Sequence, residues 1–228
     1  MTTVSERVRT AAGRALDLAF PATCVGCGRE GPPICDRCLG ALDARLETPA
    51  GIPIGLPGDV PAPLLQLEWC APFHGVVRSA LHAIKYGGER LLAESLGAAV
   101  ARRWARAGVG AEFVTHVPVH AERARQRGYD QAELIAQVAA RHLGRPFASI
   151  LERRRATIAQ FDLDRRHRAA NVRDAFGVLA QASSSVEGTW VLLVDDVVTT
   201  GSTLAACAEA LEAAGALAVS AITVARER

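Results

Sequence analysis

The sequence predicts an α/β domain, a parallel sheet with helices on both faces, preceded by a small four-cysteine metal module. Three observations predict it. From about residue 65 onward, short apolar runs alternate with longer amphipathic stretches, the pattern of repeated strand–helix units. One of these runs, Val191-Leu-Leu-Val194, is continuous rather than alternating, as expected of a central strand covered on both faces. Four of the six cysteines fall as Cys24-x-x-Cys27 and Cys35-x-x-Cys38, the spacing of paired knuckles around one metal ion. The chain has 228 residues, half of them apolar, enough to bury a sizeable core.

Taken in order, residues 4–20 carry a broad apolar stripe broken by Arg and Glu and read as an amphipathic helix. Its polar face is not strongly basic, so it is expected to pack on the body rather than on a membrane. Residues 22–40 hold the knuckles and run into a short helix ending near Leu46. Each Cys-x-x-Cys lets two thiolates reach one ion from a tight turn, and Gly26 and Gly28 supply backbone freedom there. Zinc is the default ion for a closed four-thiolate site. A disulfide pair and a redox Cys-x-x-Cys are the alternatives. A reducing compartment weighs against the first, and the presence of two pairs against the second. Cys70 and Cys207 stand apart and read as buried free thiols. Residues 1–47 are therefore taken as the metal module with its leading helix. Residues 48–64, dense in Pro and Gly, are the linker, and residues 65–228 are the main domain.

Within that domain, strands are expected at 65–71, 113–119, 175–179, 190–194 and 218–224. Helices are expected at 74–86, 91–104, 132–143 and 202–214. Residues 152–173 are polar and arginine-rich. A parallel arrangement brings the carboxyl ends of 113–119 and 191–194 to one edge, where open α/β sheets bind ligands.

The chemistry concentrates at that edge. The run Val191-Leu-Leu-Val-Asp-Asp-Val-Val-Thr-Thr-Gly-Ser-Thr203 reads as a buried strand, a pair of acids, and a hydroxyl-and-glycine loop opening a helix. The helix start, with its free N–H groups, suits a phosphate. Asp195 and Asp196 beside it would repel a bare phosphate, so they suit sugar hydroxyls or a hydrated magnesium ion. An ordinary capped turn is the plain alternative, but a cap needs one hydroxyl and no paired acids. The Gly-Lys-Ser/Thr ending of a Walker loop is missing. After the 113–119 strand comes His116-Val-Pro-Val-His-Ala-Glu-Arg-Ala-Arg-Gln-Arg-Gly-Tyr-Asp-Gln131, where Pro118 stiffens the strand exit. Arg127-Gly128 precedes the next helix, so a guanidinium is expected to face an anion at that helix start. The six histidines show no ligand spacing.

The acid pair with its Thr-Thr-Gly loop resembles the phosphoribosyl pyrophosphate (PRPP) motif of type I phosphoribosyltransferases. That resemblance implies that Asp195 and Asp196 hold the ribose hydroxyls. Thr199, Thr200, Gly201, Ser202 and Thr203 would hold the 5-phosphate. Arg123, Arg127 and Lys85 would steady the pyrophosphate, and Mg2+ would accompany PRPP. A second resemblance spans nearly the whole chain. The knuckles, Lys85-Tyr86-Gly87, Arg127-Gly-Tyr-x-Gln131, Thr157-x-x-Gln160, Arg168-x-x-Asn171 and the PRPP motif follow the order seen in the ComF (ComF/GntX-like) family. It implies a phosphoribosyltransferase-type fold with an N-terminal zinc finger, and a link to DNA uptake in competent bacteria. Three positions depart from the family's usual residues: Asp130 for Asn, His116 for Pro and Val119 for Leu. An acid at 130 turned inward would repel pyrophosphate; otherwise it would face a magnesium ion or pair with Arg127.

Two functions follow from the resemblance. One is a phosphoribosyltransferase of unstated acceptor. The other is a non-catalytic sensor of PRPP or a nucleotide that contacts single-stranded DNA or DNA-processing proteins. A third, weaker reading makes the knuckles the functional part and the transferase-like domain a scaffold. Arg153, Arg154, Arg155, Arg165, Arg166, His167 and Arg168 read as a solvated face, a hood over PRPP or a nucleic-acid contact. The formal charge of +2 selects no partner class. No apolar stretch is long enough to span a bilayer, and the first residues, with Glu6, Arg7, Arg9 and Arg14, lack an apolar leader. A cytoplasmic protein is expected, and oligomeric state stays open.

Overall fold

A computed structural model of the chain describes residues 23–50, 60–154 and 175–227. The helix expected at 4–20, part of the linker, and the segment with Arg155, Thr157, Gln160, Arg165, Arg166, His167, Arg168 and Asn171 lie outside the described residues.

Four strands form one parallel sheet: β1 (Gln66–Pro72), β2 (Phe113–His116), β5 (Trp190–Val198) and β6 (Ala218–Arg226), in the order β1-β6-β5-β2. The long helices are α2 (Gly75–Tyr86), α3 (Leu92–Ala107), α5 (Gln131–Leu143) and α7 (Ser202–Ala213). Shorter helices are α1 (Asp36–Leu39), α4 (Ala121–Arg127) and α6 (Ser183–Val186). Residues of β5 alternate between two cores. Leu192 and Val194 join the side chains of α2, α3 and α5, whereas Val191 and Leu193 join those of α7. That two-sided burial explains the unbroken apolar run, because neither face of the strand meets water. Burying these aliphatic side chains contributes roughly 1.5–3 kcal/mol each.

Several expectations are corrected. β5 does not stop at Val194; it continues to Val198, so the acid pair lies inside the strand. Pairing with β6 carries it on, through Asp195↔Thr223 and Val197↔Ala225. β2 ends at His116, with one further backbone bond from Val117 to Val194; Pro118 has no N–H to extend the ladder. The strand expected at 175–179 is β4 (Phe176–Val178). It does not join the parallel sheet but pairs antiparallel with β3 (Leu151–Arg153). Helix α4 was not expected, because none of its residues is buried and it leaves no apolar period to read.

The cysteine module sits against the edge strand β1. The Arg45 N–H donates to Cys70 O at 3.0 Å. From α3, Arg103 Nη1 donates to the carbonyls of Arg45 and Thr48, both at 2.6 Å, and its guanidinium pairs with the fully buried Glu68. Arg102 holds Asp43 through both carboxylate oxygens, at 2.8 and 3.0 Å. Among the described residues no helix is long and apolar enough to cross a membrane.

Candidate functional site

The parallel pairing of β2 with β5 brings both carboxyl ends to one edge, and the acids of β5 open there onto a cavity of about 200 Å3. Its lining includes Asp195, Asp196, Thr203, Lys85, Arg123, Arg127 and Arg153. Most of the residues singled out in the sequence thus meet in one place, though they lie up to about 120 positions apart in the chain. Lys85, Arg123 and Arg127 also line an adjoining groove of about 660 Å3 with Tyr86 and Tyr129. Thr199, Thr200, Gly201 and Ser202 form the loop at the start of α7 and are not among the cavity's lining residues.

The two acids differ in surroundings. Asp196 is 6% exposed. Its Oδ1 accepts from Lys85 Nζ at 2.9 Å and its Oδ2 from Gln131 Nε2 at 2.8 Å. Asp195 lies on the opposite pleat, retains some exposure, and accepts from the Asp196 N–H at 2.7 Å. Burial, and after it the neighbouring Asp196 carboxylate, push the Asp195 pKa well above the ordinary aspartate value. The cavity therefore presents one acid neutralised by a lysine and one that releases its proton reluctantly.

The loop after β5 turns through Gly201 at φ +79, a conformation other residues adopt at a cost. A Cβ there would also lie 2.6 Å from Pro61 Cγ. Thr200 Oγ1 lies 2.9 Å from Ser202 Oγ and accepts from the Ser202 N–H at 3.4 Å. The N-cap residue itself is glycine and offers no side-chain cap.

Asp130 answers the question its charge raised. It neither pairs with Arg127 nor turns into the cavity. Its Oδ1 caps α5 by accepting from the N–H groups of Ala132 and Glu133, at 2.9 and 3.3 Å, and its Oδ2 accepts from Val119 N–H at 2.8 Å. His116 Nε2 stands 3.6 Å from the same Oδ2. Burial opposes ionisation of Asp130, but His116 and the N–H groups of Val119 and Glu133 outweigh it and hold the carboxyl below its ordinary value. Two departures from the usual family pattern, at 116 and 130, thus meet each other. Arg127 ends α4 and lies just before the start of α5, where it donates to Gln131 Oε1 at 2.8 Å.

Two functional candidates escaped the sequence reading as site residues. Arg153 is expected only as one of an arginine cluster that forms a solvated face, a PRPP hood or a nucleic-acid contact; it lines the cavity from the end of β3. Burial, with the Arg123 guanidinium nearby, lowers its pKa. Gln131 was visible as the last residue of a motif, but nothing in the spacing says that its amide meets an acid 65 positions away.

The sulfur atoms of Cys24, Cys27, Cys35 and Cys38 all lie within 4.8 Å of one another. Tetrahedral zinc with Zn–S near 2.3 Å needs sulfurs about 3.8 Å apart; Cys27 and Cys35 stand at 3.6 Å. A Cβ on Gly26 would lie 2.8 Å from Cys38 Sγ, so only glycine lets the knuckle close. Burial raises the Cys24 pKa, but backbone N–H groups of Cys35, Cys27 and Gly26 outweigh it and bring the thiol to about 6. Burial and the neighbouring sulfurs push Cys38 up to about 12. Four thiolates do not coexist here without a cation among them, so the donor set fits a metal.

Residues 130–228 match the family model described as a phosphoribosyl transferase domain. The chain is 30% identical over 201 residues to the DNA utilization protein YhgH of Salmonella typhi, covering 82% of this chain and 87% of that protein. It is 39% identical over 94 residues to competence protein F of Haemophilus influenzae, 41% of each chain. The protein belongs to the ComF family. Among solved structures, the glutamine PRPP amidotransferase from B. subtilis complexed with ADP and GMP is similar with a TM-score of 0.39 and 26% identity. That match covers 57% of this chain and 25% of the other. The matched transferase region takes in Asp195 to Thr203 and Gln131, whereas Lys85 and the four cysteines of this ComF-family chain lie before it.

Proposed function

We propose that the protein binds Mg-PRPP and transfers its phosphoribosyl group to an acceptor, with a role in handling DNA. The observation that carries this reading is the convergence of the acid pair, Thr203 of α7 and the four cations Lys85, Arg123, Arg127 and Arg153 on one cavity. Asp195 and Asp196 would accept from the ribose hydroxyls. The loop Thr199, Thr200, Gly201, Ser202 and Thr203 would hold the 5-phosphate, its N–H groups donating to phosphate oxygens. Lys85, Arg123 and Arg127 would take the pyrophosphate. Magnesium bound with the substrate would offset part of the pyrophosphate charge. The acceptor's lone pair forms the new bond to the anomeric carbon as the bond to pyrophosphate breaks, and that electron pair leaves on pyrophosphate. Catalysis is then a matter of placing the partners and stabilising the charge that develops on the leaving group.

The four cysteines would hold one structural zinc ion, which makes the module's fold metal-dependent. The boundary at residues 48–64 separates this module from the transferase-like domain, and the Arg103 clamp ties the two together. The DNA utilization and competence names of the relatives support a DNA-linked role for this chain.

A second reading is a non-catalytic sensor, with single-stranded DNA or a DNA-processing protein as partner. Each oxygen of Asp196 accepts one hydrogen bond and keeps a lone pair for a ribose hydroxyl, so this geometry serves binding alone as well as turnover. Calorimetric titration of the zinc-loaded protein with Mg-PRPP, alongside the Asp195→Asn/Asp196→Asn double variant, tests the PRPP site. An acceptor screen that reads pyrophosphate release separates the enzyme from the sensor.

A further inference from the structure

Gln131 is 3% exposed and is the first residue of α5. Its amide is used at both ends. Oε1 accepts from Arg127 Nη1 at 2.8 Å, and Nε2 donates to Asp196 Oδ2 at 2.8 Å. Asp196 in turn accepts from Lys85 at 2.9 Å. The result is one hydrogen-bonded chain, Arg127–Gln131–Asp196–Lys85, drawn from α4, α5, β5 and α2. Its polarity is fixed by chemistry. A guanidinium only donates and a carboxylate only accepts, so the residue between them must accept on one side and donate on the other. Among side chains of this length, glutamine does both. Asp130, capping the same turn of α5, sets where Gln131 begins.

We infer that Gln131 is a positioning residue: it ties the pyrophosphate-side cation Arg127 to the ribose-side acid Asp196, so that the two ends of PRPP bind as one event. This rests on the PRPP reading above. Ligand charge that draws Arg127 away weakens its bond to the Gln131 carbonyl oxygen, which depolarises the amide and loosens its N–H from Asp196. A ribose hydroxyl that competes for Asp196 oxygen loosens the amide and lets Arg127 turn to the pyrophosphate.

The decisive variant is Gln131→Glu, which keeps the shape and the acceptor for Arg127 but sets a carboxylate against Asp196. Two such carboxylates share a proton more readily than they both ionise. The charged groups facing this node are Lys85, Arg127, Asp130 and Asp195, with Arg123 and Arg153 lining the same cavity. His116 and His120 are common to both proteins and cancel in the comparison. Mg-PRPP affinity is measured by calorimetry for wild type, Gln131→Glu and Gln131→Ala between about pH 5 and pH 8. The expected result is a loss of about tenfold or more for both variants at the alkaline end. Gln131→Glu then recovers toward wild type as pH falls, because the shared proton restores a donor, and Gln131→Ala does not recover. In wild type, ribose 5-phosphate tightens pyrophosphate binding, and in Gln131→Ala it does not.

Wild-type binding with a Gln131→Glu curve parallel to it at every pH overturns the inference and leaves the PRPP site standing. No wild-type binding overturns the PRPP reading and the inference with it. Thermal melts of the two variants over the same pH range keep the node testable if binding is weak. The hydrogen-bonded chain predicts that Gln131→Glu gains stability relative to wild type as pH falls, and a constant offset contradicts it.

Discussion

Asp195 and Asp196 are adjacent in sequence and opposite in energetics. Asp196 is held by Lys85, whose side chain is 19% exposed; removing its charge leaves a partly buried ammonium without its partner. Asp195 sits beside that carboxylate with its pKa raised by burial and by Asp196. A raised aspartate pKa means the folded protein binds the proton more tightly than the unfolded chain. The destabilisation then appears as pH rises from the ordinary aspartate value of 3.8 through the raised one. Asp195→Asn is therefore expected to raise the melting temperature at neutral pH, by an amount that vanishes below the ordinary value. Asp196→Asn is expected to lower stability by roughly 1–3 kcal/mol. Melts of both variants across pH check this; a stabilising Asp196→Asn contradicts the assigned pairing. Loss of PRPP binding together with gained stability in Asp195→Asn fits a site that holds strain for function.

At the scale of elements, β5 and α7 place the acids and the Thr199–Thr203 loop, and the turn between them depends on Gly201. Gly201→Ala puts a side chain at φ +79 and against Pro61. It is expected to reduce stability by about 1–2 kcal/mol and to weaken PRPP binding more than a substitution on the far end of α7 does, which parallel melts and titrations measure. Much of this element layer was legible in the sequence. The apolar run of β5 needs only local burial on two faces, and α5 carries a clear helical period. The sequence did not show that β5 continues through its own acids, because that extension comes from pairing with β6. Nor did it show α4, which buries nothing, or the β3–β4 pairing, whose partners are more than twenty residues apart. The same limit applies to the site. Residue types and spacing marked Asp195, Asp196 and the loop, whereas the roles of Gln131, Arg153 and Asp130 depend on contacts between distant elements.

At the scale of the whole molecule, the four-cysteine segment is tied to the sheet through α3. Arg103 reaches three carbonyls of the module's exit and the buried Glu68 at once. Removing the metal is therefore expected to release the knuckles while the sheet domain stays folded. Treatment with a chelator should remove about one zinc per chain and speed proteolysis near residues 24–38. If chelation melts the whole chain in a single transition, the module is not a separable unit. Under the function proposed above, this arrangement would join a site for an activated ribose phosphate to a four-cysteine segment. The most direct measurement is calorimetry of zinc-loaded wild type with Mg-PRPP, beside the Asp195→Asn/Asp196→Asn variant. Saturable binding to the wild type that the variant loses is the predicted result. Wild-type protein that gives no heat and no competition with pyrophosphate would contradict a PRPP site at the end of β5.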